Sequence, residues 1–240
     1  MPMHTVRLIR KEEVAEGTMA FHVEKPSGFV FKPGQFADIT LIDPAETDAE
    51  GNTRAFSLAS APHEDTLMFA TRMRDTAFKR VLKTMEPGTP LQLDAPYGSF
   101  TLHTHAEIPA VFLTGGIGVT PVRSIVLHAR HTRLPHEITL FYSNNRPEDA
   151  AFLDELTATM AANPHGTFVG TMTAMDRSSR AWQGETGFIT ATMLRKWVTD
   201  LTRPIYYIDG PRAMVEAMRT LLDDAGVDAD NIRTEEFSGY

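Results

Sequence analysis

Two short runs constrain this chain more than any other feature. Residues 54–60 read Arg-Ala-Phe-Ser-Leu-Ala-Ser, and residues 114–121 read Thr-Gly-Gly-Ile-Gly-Val-Thr-Pro. The first lies in a strand-rich half. The second lies at a strand-to-helix turn that opens a half in which strands and helices alternate. Each run suits a phosphate, one through a cation with hydroxyls and the other through bare backbone N–H groups. Two such runs in one chain imply two nucleotides, and two nucleotides facing each other imply electron transfer.

The rhythm of the sequence agrees with a division into halves. In the first hundred residues, Met19–Val23, Gln35–Leu41, Leu67–Met73 and Leu91–Asp94 read as short strands. The clusters Lys32-Pro33-Gly34, Asp43-Pro44 and Glu86-Pro87-Gly88 break them apart, the pattern of a barrel or sandwich. One helix is predicted near Thr76–Lys83, with Phe78, Val81 and Leu82 on one face.

After about residue 103, Pro109–Thr114, Ile138–Tyr142 and Ile205–Ile208 read as strands. A helix is predicted from Pro121 and another through Glu148–Met160, where Phe152, Leu153, Leu156 and Met160 recur at helical spacing. Two more carry Met193, Leu194, Trp197 and Leu201, and then Met214, Val215, Met218, Leu221 and Leu222, with Gly226 as a stop. Strand–helix alternation predicts a parallel sheet covered on both faces. The polar segment His103–Glu107 marks the boundary. The expected domains are a β-barrel over residues 1–103 and an α/β domain over 104–240.

Composition narrows the function. A net charge of −8 argues against nucleic acid or an anionic membrane as the main partner. The 240 residues hold no cysteine, so they contain no disulfide, thiolate metal site or cysteine-ligated iron–sulfur cluster. No run approaches the ~20 apolar residues of a membrane span. Met1–Arg7 lacks the apolar core of a signal peptide, and a cytoplasmic protein is the default expectation.

The 114–121 run delivers the chain through Gly115, Gly116 and Gly118, residues that allow close approach of backbone to ligand. Thr120 is a candidate N-cap and Pro121 suits a first helical position. Such a helix start at the end of a strand is a pyrophosphate site, or else a tight turn with no ligand. At the end of the next strand come Ser143, Asn144, Asn145 and Arg146. An Arg there tolerates the 2′-phosphate of NADPH, or it simply pairs with Asp149. In the 54–60 run, Arg54 is able to clamp a phosphate and Phe56 to lie on a flat ring. Equally, Phe56 is able to serve as core and Arg54 as a rim charge. His128 and His131 share one helix face, which reads as solvated surface rather than a ligand pair.

Taken together, the motifs resemble the ferredoxin–NADP reductase superfamily of flavoproteins nearly end to end. Arg54-Ala55-Phe56-Ser57-Leu58-Ala59-Ser60 resembles its Arg-x-Tyr/Phe-Ser-x-x-Ser flavin signature, with Pro33-Gly34-Gln35-Phe36 upstream. Ala95-Pro96-Tyr97-Gly98-Ser99-Phe100 resembles the segment that closes the barrel, and Thr114–Pro121 the NAD(P)-binding turn. Gly210-Pro211 with Met214-Val215 resembles the later Cys-Gly-Pro-x-x-Met motif, and Glu235-Glu236-Phe237 the C-terminal Glu-x-aromatic region.

The resemblance implies a Greek-key, flavin-binding antiparallel barrel followed by an NAD(P)-binding parallel α/β domain. It implies FAD and NADPH or NADH, with NADPH favoured by Ser143 and Arg146. Arg54 would contact the flavin pyrophosphate, Phe56 would stack on the isoalloxazine, Ser57 would lie near N5, and Ser60 completes the signature. Arg72 would also face the flavin, and backbone at Thr76, Ala77 and Phe78 would meet its phosphates. Gly115, Gly116, Gly118, Thr120, Pro121, Asp209, Gly210 and Pro211 would border the dinucleotide. Phe237, with Tyr240 as second choice, would cover the flavin, and Glu236 would handle protons.

Three departures matter. The family Cys is Asp209 here, which either orients the carboxamide or caps the following helix. Thr76 and Lys79 stand where relatives often have Gly and Ser. No cysteine ligates a fused cluster, so electrons are expected to leave to a separate ferredoxin or flavodoxin. The alternatives are a reductase of free flavin and a non-catalytic electron-transfer subunit.

Overall fold

The structure is a computed structural model that describes residues 3–235. Its first half is a six-stranded antiparallel sheet of β1 (His4–Ala15), β2 (Thr18–Glu24), β3 (Phe36–Leu41), β4 (Thr53–Ser57), β5 (Thr66–Arg72) and β6 (Pro90–Tyr97). The spatial order is β4-β3-β6-β1-β2-β5. Period-2 patterning sets the faces: Ala37, Ile39 and Leu41 of β3 are buried, while Phe36, Asp38 and Thr40 between them are only partly covered. Beyond β4 the chain runs on beside β5, where the Ala59 N–H donates to the Met68 carbonyl at 2.7 Å. The two ends of the sheet are thereby drawn together into a barrel.

Helix α1 (Ala77–Thr84) packs Phe78 and Leu82 into the barrel core beside Phe69, Leu91 and Leu93. Thr76 caps it, its hydroxyl accepting from the Lys79 N–H. The twelve-residue β1 escapes a reading of sequence runs because charges crowd it. Only Val6 and Leu8 are buried there, yet it pairs with both β2 and β6.

The second half is a parallel sheet with covering helices: β7 (Ala110–Gly115), α2 (Val119–His131), β8 (Ile138–Asn144), α3 (Leu153–Ala161), β9 (Gly166–Met172), β10 (Glu185–Thr186), α4 (Ala191–Trp197), β11 (Ile205–Asp209), α5 (Arg212–Asp224) and β12 (Ile232–Glu235). The order is β10-β9-β8-β7-β11-β12. Every residue of β7 is buried, as expected of a strand covered on both faces. Phe112 faces α2 and α3, and Val111 and Leu113 face α4 and α5. Strand order reverses direction between β7 and β11, so a crevice opens there at the carboxyl ends of the strands.

Several sequence expectations are corrected. The helix predicted through Glu148–Met160 is broken: Phe152 takes a left-handed φ of +58° and α3 begins only at Leu153. The break places the Phe152 ring 5.1 Å beneath the Arg123 guanidinium. Trp197 ends α4 and is 47% exposed, and Leu201 lies beyond that helix. Helix α2 starts at Val119, directly after a tight turn over Gly116–Gly118. Thr120 is therefore inside its first turn and donates to the Ile117 carbonyl instead of acting as N-cap.

The halves meet along a seam. Ala20, Ala59, Met68 and Ala70 of the barrel pack against Ile117 and Phe152. Gly34 turns with φ +94°, and a Cβ there would lie 2.0 Å from the Phe100 carbonyl oxygen, so only glycine fits. The linking segment is tied down by the Tyr207 hydroxyl, which accepts from the His103 N–H at 2.8 Å and from Arg233 at 3.2 Å. Among the described residues, no helix is long and apolar enough to cross a membrane.

Candidate functional site

The 114–121 run forms the floor of the crevice through backbone alone. Gly118 is pressed against β11: a Cβ there would sit 2.7 Å from the Asp209 carbonyl carbon and oxygen. Gly115 is just as close to α5, where a Cβ would meet the Met214 sulfur at 2.4 Å. Gly116 is different. Its φ is +54° and a Cβ would touch nothing within 4 Å, so its bare backbone faces open space. Two glycines thus let the turn pack and the third leaves room for a ligand.

The crevice is a cavity of about 420 Å³. Gly115 and Gly116 line it with Pro211 and Met214 on one side and Ser143, Asn144 and Asn145 on another. Thr120 and Pro121 are buried in the first turn of α2 and support this floor from behind. Gly210 packs on Gly115, where a Cβ would lie 3.1 Å from the Gly115 nitrogen. Phe188, 77% exposed, also borders the cavity. An exposed aromatic ring on a cleft wall suits a flat heterocycle. Sequence reasoning passed over it, because a single Phe between Gly187 and Ile189 carries no periodic signal.

Arg146 does not line the cavity. Its guanidinium forms a two-bond pair with Asp149, at 2.9 and 2.8 Å, and a third bond with Glu16 of the barrel at 2.8 Å. Asp149 itself does line the cavity, and Arg72 reaches across the seam to within 3.8 Å of it. Arg72, expected on the flavin side, is therefore part of the wall of this cleft.

The 54–60 run is built from side chains. Phe56 is half-buried, with its ring stacked on Phe69 at 5.0 Å and tilted to Phe78 at 5.9 Å. The Arg54 guanidinium lies 5.2 Å over the Phe78 ring. It also donates to the Glu50, Gly51 and Thr53 carbonyls and pairs with Asp48 and Glu50. Lys79 sits beside it at the start of α1 and donates to the Arg72 carbonyl at 2.9 Å. Burial pushes the Lys79 ammonium down, and the nearby Arg74 and Arg54 charges push it further. Among the described residues Lys79 has no ion-pair partner, so its ammonium stands at the capped N-terminus of α1 beside an Arg54 that is balanced by Asp48 and Glu50. Ala77 and Phe78 are buried there, so their backbone is what they could offer a ligand. This is a fit for a pyrophosphate.

Ser57, at the end of β4, is buried opposite Phe36 of β3. Ser60 is not free to bind: its hydroxyl accepts from the Met68 N–H and its carbonyl accepts from Ser124. Asp209 does not cap α5, whose N-cap is Pro211. Asp209 is instead fully buried at the end of β11, between Thr114 and Glu235 in the ladder.

Glu235, which the sequence reading placed only within the C-terminal Glu-x-aromatic region, brings an acid to the end of the barrel. Its Oε1 lies 3.5 Å from where a Gly98 Cβ would be, and the Phe36 ring lies beside the same point. Its Oε2 is buried and has no hydrogen-bond partner among the described residues, and burial pushes its carboxyl up to about 7. The carboxyl therefore lies at the barrel end where Phe36 pairs with Ser57. Glu236, Phe237 and Tyr240 lie outside the described residues.

The model of the oxidoreductase NAD-binding domain family matches residues 112–220. The glycine betaine monooxygenase reductase subunit of Chromohalobacter salexigens is 26% identical over 239 residues, which is 98% of this chain and 64% of that protein. The propane 2-monooxygenase reductase component of Rhodococcus jostii is 28% identical over 217 residues, or 89% of this chain and 57% of that protein. The chain thus spans about three fifths of the length of these relatives. Among solved structures, a ferredoxin–NADP+ reductase of Neisseria gonorrhoeae with bound FAD and NADP superposes with a TM-score of 0.80 at 22% identity. The match covers 97% of this chain and 98% of that one. The two-sheet architecture and the crevice at the strand reversal agree with these matches: the chain has the fold of that ferredoxin–NADP+ reductase, and residues 112–220 match the oxidoreductase NAD-binding domain family.

Proposed function

We propose that the chain is an NAD(P)H-dependent flavin oxidoreductase that passes electrons to a separate small redox protein. The observation that carries this is the cavity at the strand reversal, floored by Gly115 and Gly116 and bordered by Arg72, the residue that ends barrel strand β5. Reduced nicotinamide would enter that crevice, with its pyrophosphate on the start of α2 and its adenine toward Phe188. FAD would lie along β4, with Arg54, Lys79 and the α1 N-terminus at its phosphates and Phe56 and Ser57 at its ring. When bound, a flavin supplies the conversion between hydride chemistry and single-electron chemistry. The balance is NAD(P)H plus two oxidised one-electron acceptors giving NAD(P)+, two reduced acceptors and one proton.

The protein's own contributions are positional and electrostatic. Backbone N–H groups and cations hold two pyrophosphates, the apolar seam excludes water, and Glu235 holds a proton near neutral pH at the barrel end. The acceptor is a ferredoxin or flavodoxin, and the relatives' names associate such reductases with monooxygenases. The 2′-phosphate of NADPH would have to draw Arg146 from Asp149 and Glu16, whereas NADH leaves both pairs intact. The ratio of kcat/KM for the two dinucleotides therefore reads the state of Arg146.

FAD-dependent oxidation of NADH or NADPH with ferricyanide as artificial acceptor tests the activity, and its absence with both dinucleotides would sink the reading. One observation favours a second reading, a reductase of free flavin: Arg54 is already engaged by its own loop. Flavin that stays with the protein through gel filtration supports the prosthetic form. Flavin that washes away while activity with added flavin persists supports the substrate form.

A further inference from the structure

We propose that Arg123 is a positioning residue that holds the flavin run and the dinucleotide turn in one rigid frame. The inference rests on the two-cofactor reading above and adds what fixes the two sites relative to each other.

Arg123 lies on α2 one turn beyond the dinucleotide floor, and its side chain is 6% exposed. Nε and Nη2 donate to the Glu155 carboxylate of α3 at 2.7 and 2.6 Å. Nη1 donates to the Ala59 carbonyl at 2.7 Å and to Glu64 at 2.9 Å, and Nη2 donates to Glu64 at 3.2 Å. All five guanidinium N–H groups are thereby engaged. Glu64 in turn accepts from the Ala61 N–H at 2.6 Å. The neighbouring Ser124 hydroxyl donates to the Ser60 carbonyl at 2.7 Å, fully buried. Ala59 and Ser60 are the last two residues of the flavin run. One helix therefore starts at the dinucleotide floor and, a turn later, grips the backbone of the flavin strand.

A stability role alone does not account for this arrangement. Burying a guanidinium between two carboxylates carries a desolvation penalty that often cancels the Coulombic gain, and apolar packing does as well or better. A planar fork of donors does what apolar packing cannot, which is to fix distance and angle between three chain segments. Hydride transfer needs that: reacting atoms must approach to about 3–3.5 Å, and a misplacement of about 1 Å costs on the order of a hundredfold in rate.

The test uses Arg123→Lys, which keeps the charge but loses the fork, and the milder Ser124→Ala. Three quantities are read: amide hydrogen exchange at residues 58–61 in the flavin-free protein, affinity for FAD and dinucleotide, and the limiting rate of flavin reduction. The long-wavelength charge-transfer absorbance between nicotinamide and flavin is read with the last. The proposal expects Arg123→Lys to bind both cofactors within about threefold of wild type, with faster exchange at 58–61. It expects a weaker charge-transfer band and a limiting rate lower by about tenfold or more. Ser124→Ala should move the same readouts in the same direction by less. An unchanged rate and band in Arg123→Lys overturn the proposal, as does a rate loss that merely follows lost flavin. If Arg123→Lys does not fold, wild-type exchange and rate in Ser124→Ala overturn it. A wild-type protein whose flavin is not reduced by either dinucleotide fails the two-cofactor reading itself, a separate outcome.

Discussion

The two sites proposed for this molecule, a dinucleotide crevice and a flavin strand, are made by opposite means. The dinucleotide crevice is a backbone site: Gly115 and Gly118 are wedged against α5 and β11, and Gly116 presents open backbone. The flavin site is a side-chain site: Arg54, Phe56 and Lys79 already have partners, and two of Arg54's are the carboxylates Asp48 and Glu50. A backbone site is preformed, whereas a side-chain site must exchange internal contacts for ligand contacts. The first should respond to added volume and the second to lost charge or lost rings.

The sharpest way to break that contrast is Gly118→Ala. Its methyl would meet the Asp209 backbone at 2.7 Å, so the turn must shift. Overpacking of this kind costs about 1–3 kcal/mol, and dinucleotide affinity should fall by at least about tenfold while FAD binding is kept. Isothermal titration with NAD+ or NADP+ measures it, and unchanged affinity would mean that the turn is not the binding floor.

Arg54→Ala probes the other site. A charge-assisted hydrogen bond is worth about 1.5–3 kcal/mol, so FAD affinity should fall roughly tenfold to a hundredfold. Loss of Arg54's existing pairs offsets part of that. Full flavin retention in both this variant and Phe56→Ala would remove the flavin assignment from β4.

Phe188→Ala should raise the KM for NADH by about fivefold with little change in kcat, since stacking on an exposed ring is worth about 1 kcal/mol. A change confined to kcat would place the ring elsewhere in the cycle.

The smallest effect concerns Glu235. Its carboxyl is pushed up to about 7 by burial, so the folded protein holds a proton that the unfolded chain releases above its usual value of 4.5. That contribution to stability is fully present below pH 4.5 and is lost as pH rises to about 7. The melting-temperature difference between wild type and Glu235→Gln should change over that window and stay flat above it. A constant difference across pH 4–8 would show that the carboxyl is not buried as described.

Much of this was legible in the sequence, and the contrast between the sites explains which part. The glycine turn is local: a strand, three glycines and a helix start lie within a dozen residues, a pattern that reads as a backbone ligand site or as a tight turn. The two-half architecture follows from a change of periodicity. The partners of Arg146, by contrast, come from residue 149 and from Glu16 on the other side of the seam. No local pattern carries the second contact. Phe152's left-handed turn and the Arg123 network were hidden for the same reason. A helical apolar spacing runs straight through Phe152, and only the tertiary demand for a ring beneath Arg123 breaks it. The strand β1 was lost in its charges, and the burial of Glu235 follows from contacts with the distant barrel end that no local pattern carries.

The most direct test of the central claim is the visible spectrum of the freshly purified protein before and after anaerobic addition of NADH or NADPH. Two sites meeting at the seam predict a yellow protein whose visible flavin absorbance bleaches on addition of either dinucleotide. A protein that keeps its flavin oxidised under both, although it binds the dinucleotide, would contradict the claim that the crevice and the barrel strand deliver their ligands to one another.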